Sequence, residues 1–405
     1  MALNDFTSMA FRAFQQLSPM KIIHLAPIKG LLEKINGSVK EVKLAPEGIS
    51  ASVPNLAESQ YRAGNEVGLI SSFASARPVS EDIYWSSLEN YSLFAILSNG
   101  PYKKFIKDFG TPDLLNIHDI YNLKQIIFSL HFFIHGVKVF VTPRGTFSEV
   151  ALRRSKFKKI FFLLVYKIYV RFIYAFVALN EGESKQIKKV FPKKKIIIIG
   201  NGVDYNEERN NKLSNFFKTK VQHTLINIGF LGRFDIHIKG LDLLLNGYLE
   251  YQKKVDKIKI KISLLGEHRV REWDSKKFIS EVKSKLPHPE LLEVSGPYYG
   301  FSKWEELAKL DLLIQPSRTE GMPNTVLEAM SSGVPCVVTP NTNVAEMILE
   351  ANAGWRIEAT EKSILDFLLD IQTCDKTELL QLGKNAKKYT KENLTWDNIG
   401  KSSYL

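Results

Sequence analysis

A chain of 405 residues and 46.1 kDa with 44% hydrophobic and 24% charged residues, 24 Gly and 16 Pro has the make-up of a globular protein of about two domains, which excludes disordered and fibrous classes. Two cysteines, Cys336 and Cys374, and no Cys/His cluster at zinc-ligand spacing exclude a disulfide scaffold and make a reducing compartment without structural metal the default. The net charge of +12 sits almost wholly in residues 1–205, where 27 Lys+Arg face 16 Asp+Glu; the window 151–200 alone holds 13 basic and 2 acidic residues, so nucleic acid, an anionic membrane or an anionic substrate is expected there.

Residues 1–19 contain Asp5 and Arg12 and lack a basic region followed by an apolar run, so they are expected to be an appended amphipathic piece or an upstream start rather than a secretory signal. Short β-rich runs then recur between helical stretches: Lys21–Leu25, Glu66–Ser71, Leu115–Ile117, Val137–Thr142, Ala175–Leu179 and Lys195–Ile199. This rhythm, with no Asn-Gly hairpin of matched strands, predicts parallel α/β units. The uncharged stretch Gln125–Val137 stops at 13 residues, short of the ~18 that crossing a membrane requires. Tyr205–Gln222 is polar and predicts an inter-domain linker. A second series follows: Leu225–Phe230, Ile258–Leu265, Leu291–Val294, Leu312–Gln315, Cys336–Thr339 and Trp355–Ile357. Two such series predict two doubly wound domains facing one another, with ligands beyond the carboxyl ends of the strands.

The residues after those strands carry the chemistry. Phe230 to Gly240 presents Arg233 and Lys239 ahead of a helix from Leu241 to Tyr251; two cations after one strand suit a diphosphate, against the plain alternative of a solvated loop. Leu313 to Met330 places Glu320 on a glycine-containing loop, Pro323 at a first helical position and Glu328 about one turn into the helix. A helix N-terminus is an anion site, so two carboxylates there make sense as acceptors of sugar and ribose hydroxyls. Gly333-Val334-Pro335-Cys336-Val337-Val338 follows, then Glu346.

The Glu-x7-Glu element (Glu320 to Glu328), the Gly-Arg…Lys-Gly element (Gly232, Arg233, Lys239, Gly240) and the Gly-Val-Pro-Cys-Val-Val strand entry, in this order, resemble the retaining GT-B glycosyltransferases of glycosyltransferase family 4 over residues 229–350. Outside that range the resemblance is weaker. It rests on the Asn201-Gly202-Val203-Asp204 turn, Phe176 to Glu183, Asn116-Ile117-His118-Asp119, the Trp396 neighbourhood, and Pro143-Arg144-Gly145, which matches a Pro-Arg-Gly-containing subset of bacterial surface-polysaccharide type. Two features depart from the family pattern. A long insertion after Ala26-Pro27 replaces a Gly-Gly turn, making Gly37 the expected close-approach glycine, and the spacer Asp235–Ile238 is expected to shift Lys239 slightly.

The resemblance implies an α/β GT-B fold: an acceptor-binding Rossmann-like domain at 1–204, a nucleotide-sugar-binding one at 205–389, and a terminal helix at 390–405 crossing back. It implies transfer of a sugar, with retention, from a nucleotide diphosphate sugar to a glycan or lipid-linked saccharide in lipopolysaccharide or capsule synthesis. No metal or other cofactor is expected, in agreement with the absence of an Asp-x-Asp pair from the sequence. Carried over residue by residue, the catalytic set is Glu320, His118, Arg233 and Lys239. Arg233 and Lys239 would hold the diphosphate, Glu328 the ribose, and Glu320 the donor sugar with Gly321, Met322 and Asn324. Gly37 and Gly232 join the donor site, and His118 and Arg144 take the acceptor side. Glu346 stays outside the catalytic set.

Within the basic window, Arg153, Arg154, Lys156, Lys158, Lys159, Lys167 and Arg171 interleave with Phe157, Phe161, Phe162, Tyr166, Tyr169 and Phe172. This pattern suits peripheral attachment to the anionic inner face of the cytoplasmic membrane, against a core helix with solvated lysines. A nucleic-acid-binding protein using the same patch leaves the paired glutamates unexplained and lacks a recognised motif, so no nucleic-acid partner is expected. An epimerase or phosphorylase of the same fold is the nearer alternative.

Overall fold

The computed structural model describes residues 19–28, 30–35, 38–44, 48–73, 79–148, 164–213, 224–268 and 274–404, with backbone alone in 30–44. The first half runs β1 (Lys21–Ala26), β2 (Gly30–Ile35), β3 (Ser38–Leu44), α1 (Ile49–Arg62), β4 (Glu66–Ser71), β5 (Tyr84–Ser87), α2 (Leu93–Leu97), α3 (Gly100–Phe109), β6 (Leu114–His118), α4 (Leu123–Ile134), β7 (Lys138–Thr142), β8 (Ala175–Ala178), α5 (Glu181–Val190) and β9 (Ile196–Ile198). Seven of these strands form one parallel sheet in the order β5-β4-β1-β6-β7-β8-β9. Its central strands are near-continuous apolar runs, as strands covered on both faces must be: Ile22, Ile23 and Leu25 are fully buried.

The second half runs α6 (Glu207–Lys212), β10 (Ile226–Leu231), α7 (Leu241–Lys254), β11 (Ile260–Leu265), α8 (Ser275–Lys283), β12 (Leu292–Ser295), α9 (Gly300–Lys309), β13 (Leu312–Gln315), α10 (Asn324–Ser331), β14 (Cys336–Val338), α11 (Ala345–Glu350), β15 (Gly354–Arg356) and α12 (Glu361–Ile371). Its sheet is also parallel, in the order β12-β11-β10-β13-β14-β15. α13 (Lys376–Asn393) closes this half, and α14 (Trp396–Ser402) returns to the first. There Trp396 packs against Gly202, where a Cβ would stand 2.6 Å from the indole, and Arg62 pairs with Asp397 at 2.8 Å.

The expectation of no Asn-Gly hairpin is corrected. β2 and β3 pair antiparallel, and only Asn36 and Gly37 stand between them in the chain. The pair belongs to neither large sheet, so it sits apart from the parallel rhythm around it. Gly37 itself lies outside the described residues, as do residues 1–18 and the run Arg153–Lys159 of the basic window.

Candidate active site

The carboxyl ends of both sheets open onto one cleft of about 370 Å³. Gly232, Arg233, Lys239, Glu320, Gly321, Met322, Asn324 and Glu328 line it from the second half, and Arg144, Ser52 and Asn201 from the first.

The loop after β10 owes its path to glycine. Gly232 has φ +148°, and Gly240, at φ +68°, approaches Pro316 so closely that a Cβ would stand 2.0 Å from its carbonyl oxygen. Arg318 ties this loop to the one after β13. Its backbone N–H donates to Ile238 O (2.9 Å), and its guanidinium donates to His237 O and makes a two-pronged pair with Asp242, all at 2.7 Å. Lys239 is thereby held with Nζ 2.6 Å from Glu320 Oε1, so the Asp235–Ile238 spacer does not carry it out of reach. Ser317 Oγ (2.9 Å) and Gln315 Nε2 (3.3 Å) donate to the same oxygen. Asn324 opens α10 directly after Pro323, and the helix turns its N-terminal pole toward the cleft. One turn on, Glu328 is paired with Lys303 of α9 at 2.7 Å.

Across the cleft, the turn after β7 meets the Glu320 loop. Arg144 takes φ +55° and Gly145 φ +80°; a Cβ on Gly145 would stand 3.1 Å from Gly321. Asn180 Nδ2 donates to Gly321 O (2.8 Å), Asn201 Nδ2 to Met322 O (3.1 Å) and Asn324 Oδ1 (3.0 Å), and Thr319 Oγ1 to Ser148 Oγ (2.8 Å). Glu183, buried and pushed up by that burial, accepts the N–H of Gly145 and of Leu179, fixing the turn from behind.

His118, expected in the catalytic set and on the acceptor side, lies beneath the surface of the cleft. It is 0% exposed and stands behind Arg144, lining a small adjoining cavity rather than the cleft. Arg144 Nε donates to His118 Nδ1 at 3.2 Å, so the His118 proton sits on Nε2, which reaches His24 Nδ1 at 2.9 Å. His24 Nε2 then donates to Gln60 Oε1 (2.7 Å), and Gln60 Nε2 to Ser403 Oγ (2.9 Å) beyond α14. Burial pulls His24 down to about 4 and His118 well below its usual value, with the Arg144 charge adding to both. Both rings are therefore neutral at pH 7. Arg144, pulled down to about 10 by burial, stays charged. Its Nη1 donates to Ser52 Oγ (2.9 Å) and Asn201 Oδ1 (3.3 Å).

Sequence reasoning did not single out Lys303, Arg318, Ser52, Tyr298, Tyr299 or Gly48, of which all but Arg318 line the cleft. Gly48 had a signal: a glycine two residues after Pro46 and directly ahead of a helix. Glu346 lies on an exposed surface, paired with Arg356 at 2.9 Å. Among the described residues no group of three or more His, Cys, Asp or Glu is placed to hold a metal, and no helix is long and apolar enough to cross a membrane.

A cleft of this kind holds an anion between cations and a helix N-terminus while carboxylates accept hydroxyl hydrogens beside it. Known proteins are similar to this chain. The model described as Glycosyltransferase Family 4 matches residues 46–207, and that described as Glycosyl transferases group 1 matches 226–371. An uncharacterized 41.2 kDa protein in the cps region of Klebsiella pneumoniae is 26% identical over 242 residues, 58% of this chain and 62% of the relative. An uncharacterized glycosyltransferase of Methanocaldococcus jannaschii is 25% identical over 173 residues, 42% of this chain and 44% of that one. The chain thus spans less than two thirds of the length of either curated relative. HepE of Anabaena, solved in complex with UDP, superposes with a TM-score of 0.68 at 17% identity, covering 94% of this chain and 97% of its own. Sucrose-phosphate synthase of Thermosynechococcus elongatus gives 0.68 at 14% identity, covering 94% and 96%. The fold is GT-B, two Rossmann-like domains facing each other across a cleft. The chain is related to glycosyltransferase family 4.

Proposed function

We propose that this chain is a retaining glycosyltransferase that moves a sugar from a nucleotide diphosphate sugar to a glycan or lipid-linked saccharide acceptor in cell-surface polysaccharide synthesis, at the inner face of the cytoplasmic membrane. The observation that carries the reading is the convergence of Arg233, Lys239, Glu320 and Glu328 on one cleft at the N-terminus of α10. In this reading residues 1–204 take the acceptor, 205–389 the donor, and 390–405 join the two. Similarity to a protein of a Klebsiella pneumoniae cps region is in keeping with the polysaccharide setting, and HepE's complex with UDP with the donor class.

Arg233 and Lys239 neutralise the diphosphate as the glycosidic bond ionises, and the N–H groups at the start of α10 add to that stabilisation without a metal. Glu320, its Oε1 already held by Lys239, Ser317 and Gln315, fixes the donor sugar's hydroxyls, with the backbone of Gly321, Met322 and Asn324 beside it. Glu328, set by Lys303, holds the ribose, and Tyr298 and Tyr299 offer aromatic surface to the base. Arg144 faces the acceptor, and His118 positions Arg144. The test is turnover of UDP- and GDP-sugars with excess chelator, read by NMR of the released or transferred sugar. Anomeric retention that survives chelation is expected; complete loss restored by magnesium or manganese contradicts the metal-free reading.

A further inference from the structure

One face of the first sheet is covered by α1 and α14, the other by α2, α3, α4 and residues 164–172. The outer side of this second layer leaves apolar side chains exposed in a pattern that packing inside the molecule uses only in part, Ile127 and Leu130 of α4 also touching the core. Along α4, Leu123, Ile127, Leu130 and Ile134 recur at i, i+4, i+7 and i+11 and reach from partly buried to 73% exposed at Ile134. On one side lies α2, joined through His131 Nε2 and Ile96 O (2.7 Å), with Phe94 80% and Leu97 56% exposed. On the other side residues 164–172 pack through Tyr169 on Ser129 and Phe172 on Phe133, ring centroids 5.2 Å apart, and leave Leu164 and Ile168 exposed. Exposed apolar side chains gathered on three neighbouring segments mark a docking face.

Charge says what docks. Residues 93–97, 123–134 and 164–174 contain no Asp or Glu, while Lys167 and Arg171 stand exposed beside Ile168, and α3 exposes Lys103, Lys104 and Lys107 against the single acid Asp108. At the same edge a groove of about 370 Å³ is lined by Lys138, Arg171, Phe133, Phe172 and Tyr174, with Lys138 Nζ 5.3 Å from the Tyr174 ring centre. A second copy of this chain would bring like charges together across such a face, whereas lipid phosphates complement it. The stripe on α4 begins just after the carboxyl end of β6, the end of the sheet that opens on the cleft.

We infer that the face built by α2, α4 and residues 164–172 is the surface by which the protein lies on an anionic bilayer, with Phe94, Leu97, Ile134 and Ile168 entering the headgroup region and the cations around them meeting lipid phosphates. The inference rests on the membrane-surface part of the proposed function and assigns it to residues beyond the 149–163 segment.

The test is co-sedimentation of the full chain with vesicles of phosphatidylglycerol and phosphatidylcholine, beside vesicles of phosphatidylcholine alone. Wild type is expected to bind the anionic vesicles, more weakly as salt rises, and the triple variant Phe94→Ser, Leu97→Ser, Ile134→Ser to lose at least tenfold. An Ile134→Trp chain is expected to show a blue-shifted emission quenched by brominated lipid. Vesicle binding by the triple variant equal to wild type, or an emission of the Ile134→Trp chain that vesicles leave unshifted, overturns the inference. So does a dimer that the triple variant abolishes, or a face protected from hydrogen exchange until residues 1–18 are deleted. Thermal stabilisation by UDP- and GDP-sugars, followed in parallel, separates the two readings. A wild-type chain that binds donor but not anionic vesicles sinks the docking face alone, and one that binds the vesicles but no donor sinks the transferase alone.

Discussion

Glu320 and Glu328 sit eight residues apart and take different partners, which predicts different kinetic failures. Glu320 shares Oε1 among Lys239, Ser317 and Gln315 on a loop at the centre of the cleft, whereas Glu328 lies within α10 beside Lys303. Glu320→Gln is expected chiefly to lower kcat, as losing an interaction tightened in the transition state does. Glu328→Gln is expected chiefly to raise the donor KM, about ten- to a hundredfold for a charged hydrogen bond of ~1.5–3 kcal/mol, and Lys303→Met is expected to follow it. Steady-state kinetics on the three variants checks this; a kcat collapse in Glu328→Gln with only KM affected in Glu320→Gln reverses the threading of the donor. The histidine pair makes a separate prediction about stability. The unfolded chain protonates both rings near their ordinary value of 6.5, whereas His24 in the folded chain waits until about 4 and His118 is also held well below 6.5. Their contribution to stability is therefore full above pH 6.5 and lost as the pH falls from there through about 4, by up to ~1.4 kcal/mol per pH unit for each ring. Urea unfolding at pH 7, 5.5 and 4.5 is expected to give a shallower decline for the double variant His24→Gln, His118→Gln than for wild type. Equal slopes contradict the buried neutral pair.

At the scale of elements, the parallel strands were legible because burial on both faces writes an uninterrupted apolar run: Glu66–Ser71 and Leu312–Gln315 coincide with β4 and β13 end to end. β5 was missed because Tyr84–Ser87 is a four-residue, half-buried edge strand, and β2–β3 because charged residues interrupt a pair that joins neither sheet. The second-half site was legible because its residues cluster after two strands. The burial of His118 was not legible because sequence shows it at a strand end without showing Arg144 folded across it. Lys303 and Arg318 act from elements that look, locally, like an amphipathic helix and a polar loop. Arg318 nevertheless holds the α7 loop to the α10 loop, and so Lys239 to Glu320. Arg318→Ala is expected to lower kcat/KM about tenfold or more, and Arg318→Lys to fail to rescue it, because an ammonium cannot make the two-pronged bond to Asp242. Kinetics within twofold of wild type for the Ala variant would show that the loops keep their places unaided.

At the scale of the molecule, the two sheets present their carboxyl ends to one cleft, and Asn180, Asn201 and the Gly145–Gly321 approach hold the halves together around it. α14 adds a second tie, from Asp397 and Ser403 back to α1. The charge asymmetry read from the sequence gains a spatial meaning in this arrangement, since the basic half carries the apolar, cation-framed face and, in the proposed reading, takes the acceptor. The central claim is that the cleft binds a nucleotide diphosphate sugar through Arg233 and Lys239 without metal. Calorimetric titration of UDP- and GDP-sugars in excess chelator, on wild type and on the Arg233→Ala and Lys239→Ala variants, tests it most directly. The account predicts saturable binding of one donor class to wild type, weakened at least tenfold in each variant, with melting temperatures within about 2 °C of wild type. Binding of neither class, or equal affinity in all three proteins, would contradict it.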